Sequence, residues 1–77
     1  MNRVIAGIDV SKDRLDVFVL PSAERFAESN DEAGIERLCE RLRATMPDLV
    51  CFEASGGYER LAAATLAGAG LSPVIVN

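Results

Sequence analysis

The chain has 77 residues, enough for one small domain and too few for a catalytic apparatus spread over several. Apolar residues make up 49% and charged residues 26%, a globular composition that excludes a disordered or fibrous chain. Twelve Asp or Glu against eight Lys or Arg give a net charge of -4, which argues against a stand-alone binder of the phosphate backbone. There is no histidine, so a His-based zinc site, a Ser-His-Asp triad and an imidazole general base are all excluded within this chain. Acidity is compatible with metal-dependent chemistry, because carboxylates are natural ligands of hard cations such as magnesium. Cys39 and Cys51 are not in a CxxC spacing and fall in apolar patterns, the usage of reduced core thiols in a cytoplasmic protein. Met1-Asn2-Arg3 and the residues after it lack the features of a signal peptide, and no run reaches membrane-spanning length.

In chain order, Arg3 to Val10 is apolar almost throughout and reads as a strand buried on both faces. Ser11-Lys12-Asp13 supplies turn chemistry, and Arg14 to Leu20, rich in β-branched and aromatic residues, reads as a second strand in a hairpin with the first. A weaker extended stretch around Arg25 to Glu28 predicts a third antiparallel strand. Ser29 and Glu32 stand in the S-x-x-E relation of a capping box. Ile35, Leu38, Cys39 and Leu42 then form one apolar helical stripe that ends before Pro47. Arg37, Arg41 and Arg43 on this helix read either as solvated charges interleaved with Glu36 and Glu40 or as a phosphate-binding row. Asp48 to Ala54 reads as a buried strand ending near Glu53. A second helix is predicted from Tyr58 to about Ala69, with Tyr58, Leu61, Ala62, Thr65 and Leu66 on one face, and Ser72 to Val76 as a last strand.

The order β-β-β-α-β-α-β is α/β. Right-handed crossovers stepping the same way across the sheet put both helices on one face and leave the other bare. The first, fourth and fifth strands are nevertheless apolar at both parities. That pattern predicts either a chain whose next helix lies beyond Asn77 or a domain that hides the face by self-association.

Asp9 and Glu53 each interrupt or end an apolar strand, where a carboxylate is costly unless paired, hydrogen-bonded or bound to a cation. If their strands are adjacent and parallel, both acids reach the carboxyl ends of the sheet, where ligands of open α/β sheets bind. Periodicity equally allows each acid to lie past the end of its strand and face water. Ser55, Gly56 and Gly57 precede a helix N-terminus, so their N-H groups suit a phosphate, or Ser55 simply caps the helix and the glycines permit the turn. Tyr58 suits nucleotide stacking or a place in the helix core, Lys12 a nucleic-acid contact or a solvated turn. Glu59 reads as an exposed acid at the helix N-terminus.

The stretches GIDVSKDRLDVFV, Gly7 to Val19, and FEASGGYERLAAATLAGAGLSPVIVN, Phe52 to Asn77, together resemble the N-terminal region of the DEDD-type insertion-sequence transposases. The resemblance covers essentially the whole chain and is least diagnostic from Ala23 to Pro47. It implies a RuvC-like, ribonuclease H-like catalytic domain spanning residues 1-77 in part. In the full-length protein a serine-bearing C-terminal domain follows, and members of the family act as recombinases guided by a bridge RNA. It further implies that Asp9, in GIDVSK, is the first acidic metal ligand and catalytic residue, and that Glu53, in EASGGYE, is the second. The family's third and fourth acids fall downstream of the last core strand, beyond Asn77. The expectation is therefore half of a two-metal site that holds Mg2+ or Mn2+ weakly, with little nuclease activity in this stretch alone. The implied partners are DNA and a guide RNA in the full-length protein, with homodimerisation through the uncovered face.

Two other readings stand beside this one. A sugar-kinase or actin-like ATPase shares the architecture and a G-I-D strand, but needs a glycine- and threonine-rich hairpin where this chain has Val10-Ser11-Lys12-Asp13. A non-catalytic interaction module would use the bare sheet face.

Overall fold

Alternation decides which side of this sheet is covered. Ala6, Ile8 and Val10 are buried while Ile5 and Gly7 are half-buried and Asp9 is exposed, and the same alternation buries Leu15, Val17 and Val19. In the computed structural model, which describes residues 3-53 and 55-76, the elements are β1 (Ile5–Val10), β2 (Arg14–Leu20), β3 (Glu24–Ser29), α1 (Glu32–Thr45), β4 (Leu49–Glu53), α2 (Arg60–Gly68) and β5 (Pro73–Val76). This is the predicted order. The readings that fall on Met1, Asn2, Ala54 and Asn77 lie outside the described residues.

The five strands form one mixed sheet in the order β3-β2-β1-β4-β5. β1, β2 and β3 form an antiparallel meander, while β4 is parallel to β1 and β5 is parallel to β4. Asp48 sets the start of the β1–β4 register. Its N-H donates to the Val4 carbonyl at 2.7 Å, and its carboxylate accepts from the Val4 N-H at 2.7 Å.

Both helices pack on the face formed by Ala6, Ile8, Val17, Val19, Val50 and Phe52, closing a core with Ile35, Leu38, Leu42, Ala62 and Leu66. Phe52 is the largest fully buried side chain. Helix α1 is tied to β3 at its outer edge: Arg37 donates to Glu28 at 2.8 Å and Arg41 to Glu24 at 3.0 Å. The Arg41 guanidinium also lies 3.7 Å from the Phe26 ring centroid. Two of the three helix arginines are thus committed to β3 and do not form a free anion-binding row.

The predicted capping box is absent. Asp31, not Ser29, is the N-cap of α1: its carboxylate accepts from the Gly34 N-H at 2.8 Å and from the Ser29 hydroxyl at 2.8 Å. Strand β3 continues through Ser29, which leaves the capping role to the first residue free of the ladder. α2 begins at Arg60, two residues later than expected, because Gly56 to Glu59 are spent in turn structure. Its buried residues are Ala62 and Leu66, while Leu61, expected on the same face, is exposed.

Among the described residues no helix covers the opposite face. Ile5, Gly7, Phe18, Leu49 and Cys51 are half-buried there, and Val74 and Val76 are exposed. Arg25 shields part of it, its guanidinium 4.3 Å from the Phe18 ring centroid. Cys39 and Cys51 are free, with only Cys39 in the core.

Gly34 is the most tightly enclosed of the glycines: a Cβ built there would collide with the Ser29 carbonyl oxygen. Gly34→Ala is expected to lower unfolding free energy by about 1–3 kcal/mol in urea titrations. Gly68→Ala, where a Cβ meets nothing within 4 Å, should instead stabilise by about 0.5–1 kcal/mol.

Candidate functional site

The parity that buries Ile8 and Phe52 sends their neighbours Asp9 and Glu53 to the bare face. The last paired residues of β1 and β4 are Ile8 and Phe52, so one further step in a parallel register brings Asp9 and Glu53 level on adjacent strands. Neighbouring strands are about 4.7–4.9 Å apart, within reach of one cation for two carboxylates. Both acids are exposed at the carboxyl end of the sheet, and among the described residues neither is in an ion pair.

Asp16 was not anticipated at this site. It stands directly opposite Asp9 in the β1–β2 ladder and therefore shares the face. Its carboxylate accepts from Arg14 Nε at 2.8 Å, so one of the three acids is already charge-paired. The signal was present in the sequence as the alternation of RLDVFVL, but it points to Asp9 only once the hairpin register is known. Like charges directly opposite destabilise a ladder, and either a local arginine or a bound cation offsets them. Among the described residues no three acidic or thiol groups converge closely enough to hold an ion. Asp9 and Glu53 thus present two carboxylates on adjacent strands of one face, oxygen donors of the kind a hard cation takes but fewer than a closed site would supply.

The loop after β4 is organised by Glu59. This residue is buried, at 7% exposure, and not the exposed helix acid that its position suggested. One carboxylate oxygen accepts from the Ser55 N-H at 2.8 Å, the Ser55 hydroxyl at 2.9 Å and the Gly57 N-H at 3.2 Å. The Ser55 N-H above all, with its hydroxyl and the neighbouring backbone donors, holds the Glu59 carboxyl down to about 2. Two of the N-H groups that a phosphate would use are therefore already held by an internal carboxylate. Gly56 and Gly57 have φ of 70° and 106°, a left-handed path that wraps the loop around Glu59. The S-G-G-Y-E spacing, a hydroxyl four residues before an acid, is the signal that could have disclosed this.

Tyr58 is 50% exposed and does not belong to the core of α2. Lys12 is exposed at the tip of the β1–β2 turn. A groove of about 700 Å³ between α1 and α2, lined by Ile35, Cys39, Leu61 and Thr65 among others, is on the helical side of the sheet, away from the acids.

No family model and no curated protein matches the chain in sequence. Among solved structures it is similar to the RuvC of Thermus thermophilus in complex with a Holliday junction substrate. The TM-score is 0.75 at 16% identity, covering 97% of this chain and 64% of that one. A second Thermus thermophilus RuvC structure gives 0.63 at 18% identity, over 95% of this chain and 63% of that one. Pelota of Archaeoglobus fulgidus gives 0.74 at 16% identity, over 99% of this chain and 27% of that one. The chain thus has the RuvC-like, ribonuclease H-like fold and spans less than two thirds of each of these chains. Pelota fits nearly as well as RuvC, so the fold alone does not select a function.

Glu59 gives a pH test. Its folded-state pKa is depressed, so its stabilisation is present above the ordinary value of 4.5 and is lost as pH falls towards about 2. The difference in thermal midpoint between the native chain and Glu59→Gln should be largest above about pH 5 and shrink steadily towards pH 2.

Proposed function

We propose that this chain is the N-terminal part of the catalytic domain of a metal-dependent DNA transposase or recombinase of the DEDD type. The observation that carries the reading is the placement of Asp9 and Glu53, exposed and level on adjacent parallel strands at the carboxyl end of a RuvC-like sheet. The GIDVSK and EASGGYE stretches that hold these acids are also the ones that resemble that family. In one RuvC neighbour the same fold was solved with a DNA junction, which supports DNA as the substrate class.

In this reading Asp9 and Glu53 hold Mg2+ or Mn2+. When bound, such an ion supplies Lewis-acid stabilisation of the charge on a phosphodiester undergoing displacement. Lys12 and Tyr58, both exposed beside the acids along the chain, contact the nucleic acid by charge and by stacking. Gly56 supplies a left-handed step of the loop, and Ser55 and Gly57 contribute through the Glu59-held turn more than through free N-H donors. Strand transfer, a guide RNA and the remaining acidic ligands belong to the longer protein.

The bare apolar face favours a second, compatible reading in which the domain self-associates. Exposed Val74 and Val76 continue the half-buried row of Leu49 and Cys51 across β4 and β5. Sedimentation is expected to show a concentration-dependent dimer that Val74→Lys weakens. A monomer at high concentration would exclude it.

The metal reading is tested by titrating Mn2+ and following the electron paramagnetic resonance of the free ion. The native chain should bind Mn2+ weakly, and Asp9→Asn and Glu53→Gln should each weaken binding by about tenfold or more, the equivalent of about 1.4 kcal/mol. Equal binding by all three proteins would overturn the assignment.

A further inference from the structure

The hydrogen-bonded register between β1 and β4 ends at Ile8 and Phe52, one residue short of both acids. Beyond that point, a side chain on neither strand bonds to both of the segments that follow them. Asn30 sits between β3 and α1, and its carboxamide Nδ2 donates to the Ser11 carbonyl at 2.9 Å and to the Tyr58 carbonyl at 3.0 Å. Ser11 lies in the turn that follows Asp9, and Tyr58 in the loop that follows Glu53.

We propose that Asn30 is a positioning residue that couples the β1–β2 turn to the β4–α2 loop and so keeps Asp9 and Glu53 level as a pair. Three features make it suited to this. Its own backbone is anchored, because the Asn30 N-H donates to the Asp13 carbonyl at 3.0 Å and the next residue, Asp31, caps α1. Its side chain offers two amide hydrogens on one nitrogen, so each loop receives one; aspartate has none to give and serine only one. The loop it grips is a unit: Tyr58 adjoins Glu59, whose carboxylate gathers Ser55 and Gly57, so a tether at the Tyr58 carbonyl restrains the whole segment from Ser55 to Glu59. Both tethered groups are carbonyl oxygens, which any residue at positions 11 and 58 would provide. The specificity of the clamp resides in Asn30 alone.

The consequence for metal binding rests on the assignment of Asp9 and Glu53 above, and the experiment separates the two claims. Amide exchange is followed by NMR without metal in the native chain, Asn30→Ala and Asn30→Ser, and Mn2+ is then added to observe paramagnetic broadening. In Asn30→Ala the sheet amides should stay protected. The Ser11 amide, bonded to the Arg14 carbonyl, and the Gly57 amide, bonded to Glu59, should both exchange about fivefold faster or more, the equivalent of about 1 kcal/mol. Asn30→Ser should fall between, and it replaces the alanine variant if that variant does not fold. With Mn2+, native amides near Asp9 and in the Ser55–Gly57 loop should broaden at the same concentration. In the variants the loop should need several times more ion than the β1 end. Unchanged exchange in both loops, or a change confined to one, overturns the coupling. If native amides show no broadening at either place, the metal assignment fails, and exchange alone then decides whether Asn30 joins the loops.

Discussion

Strand parity, imposed by two crossovers that place both helices on one side of the sheet, governs everything else in this molecule. From β3 over α1 to β4, and from β4 over α2 to β5, the chain moves in the same direction across the sheet, so right-handed connections deliver both helices to the same face. That face takes Ala6, Ile8, Val17, Val50 and Phe52 into the core. Because side chains alternate, the neighbours of Ile8 and Phe52 must point the other way. Asp9 and Glu53 are therefore exposed together as a direct result of what the core demands, and Asp16 joins them through the antiparallel pairing with β1.

The polar interactions extend this division. On the helical side, charge is used for attachment, with Arg37 and Arg41 closing α1 onto the outermost strand through Glu28, Glu24 and the Phe26 ring. At the carboxyl end of the sheet, hydrogen bonds shape loops: Glu59 folds the turn after β4 around its carboxylate, and Asn30 reaches to both loops that flank the acids. Of the three acids on the open face, Asp16 has an arginine partner, while among the described residues Asp9 and Glu53 are in no ion pair.

The similarity to RuvC and to Pelota places the fold without choosing the chemistry. What favours nucleic-acid chemistry is local: the two carboxylates, the exposed Lys12 and Tyr58 near them in the chain, and the stretches that carry these residues. The net charge of -4 does not oppose the proposed reading, because carboxylates are the natural ligands of hard cations.

Much of the fold was legible in the residues. Apolar runs and turn chemistry gave all seven elements in order, and the crossover rule foretold the bare face, while the both-sided apolarity of β1, β4 and β5 pointed to a cover for it. Asp9 and Glu53 stood out because carboxylates are rare in such strands. Local signals failed where a residue's partner was distant or its backbone already committed. Ser29 looked like a cap until pairing in β3 claimed it, and Tyr58 looked like core until the glycine turn delayed the helix. Glu59 looked exposed because its helix position says nothing of the loop that folds over it. The sequence by itself thus determined the order of the elements, the parts of the core on the strands and α1, and which two strand carboxylates stand out, since these follow from periodicity and the cost of burying charge. Tertiary structure alone decided that Asp16 faces Asp9, that Glu59 is buried and that Asn30 bridges two loops, because each depends on strand register or on contacts between residues far apart in the chain.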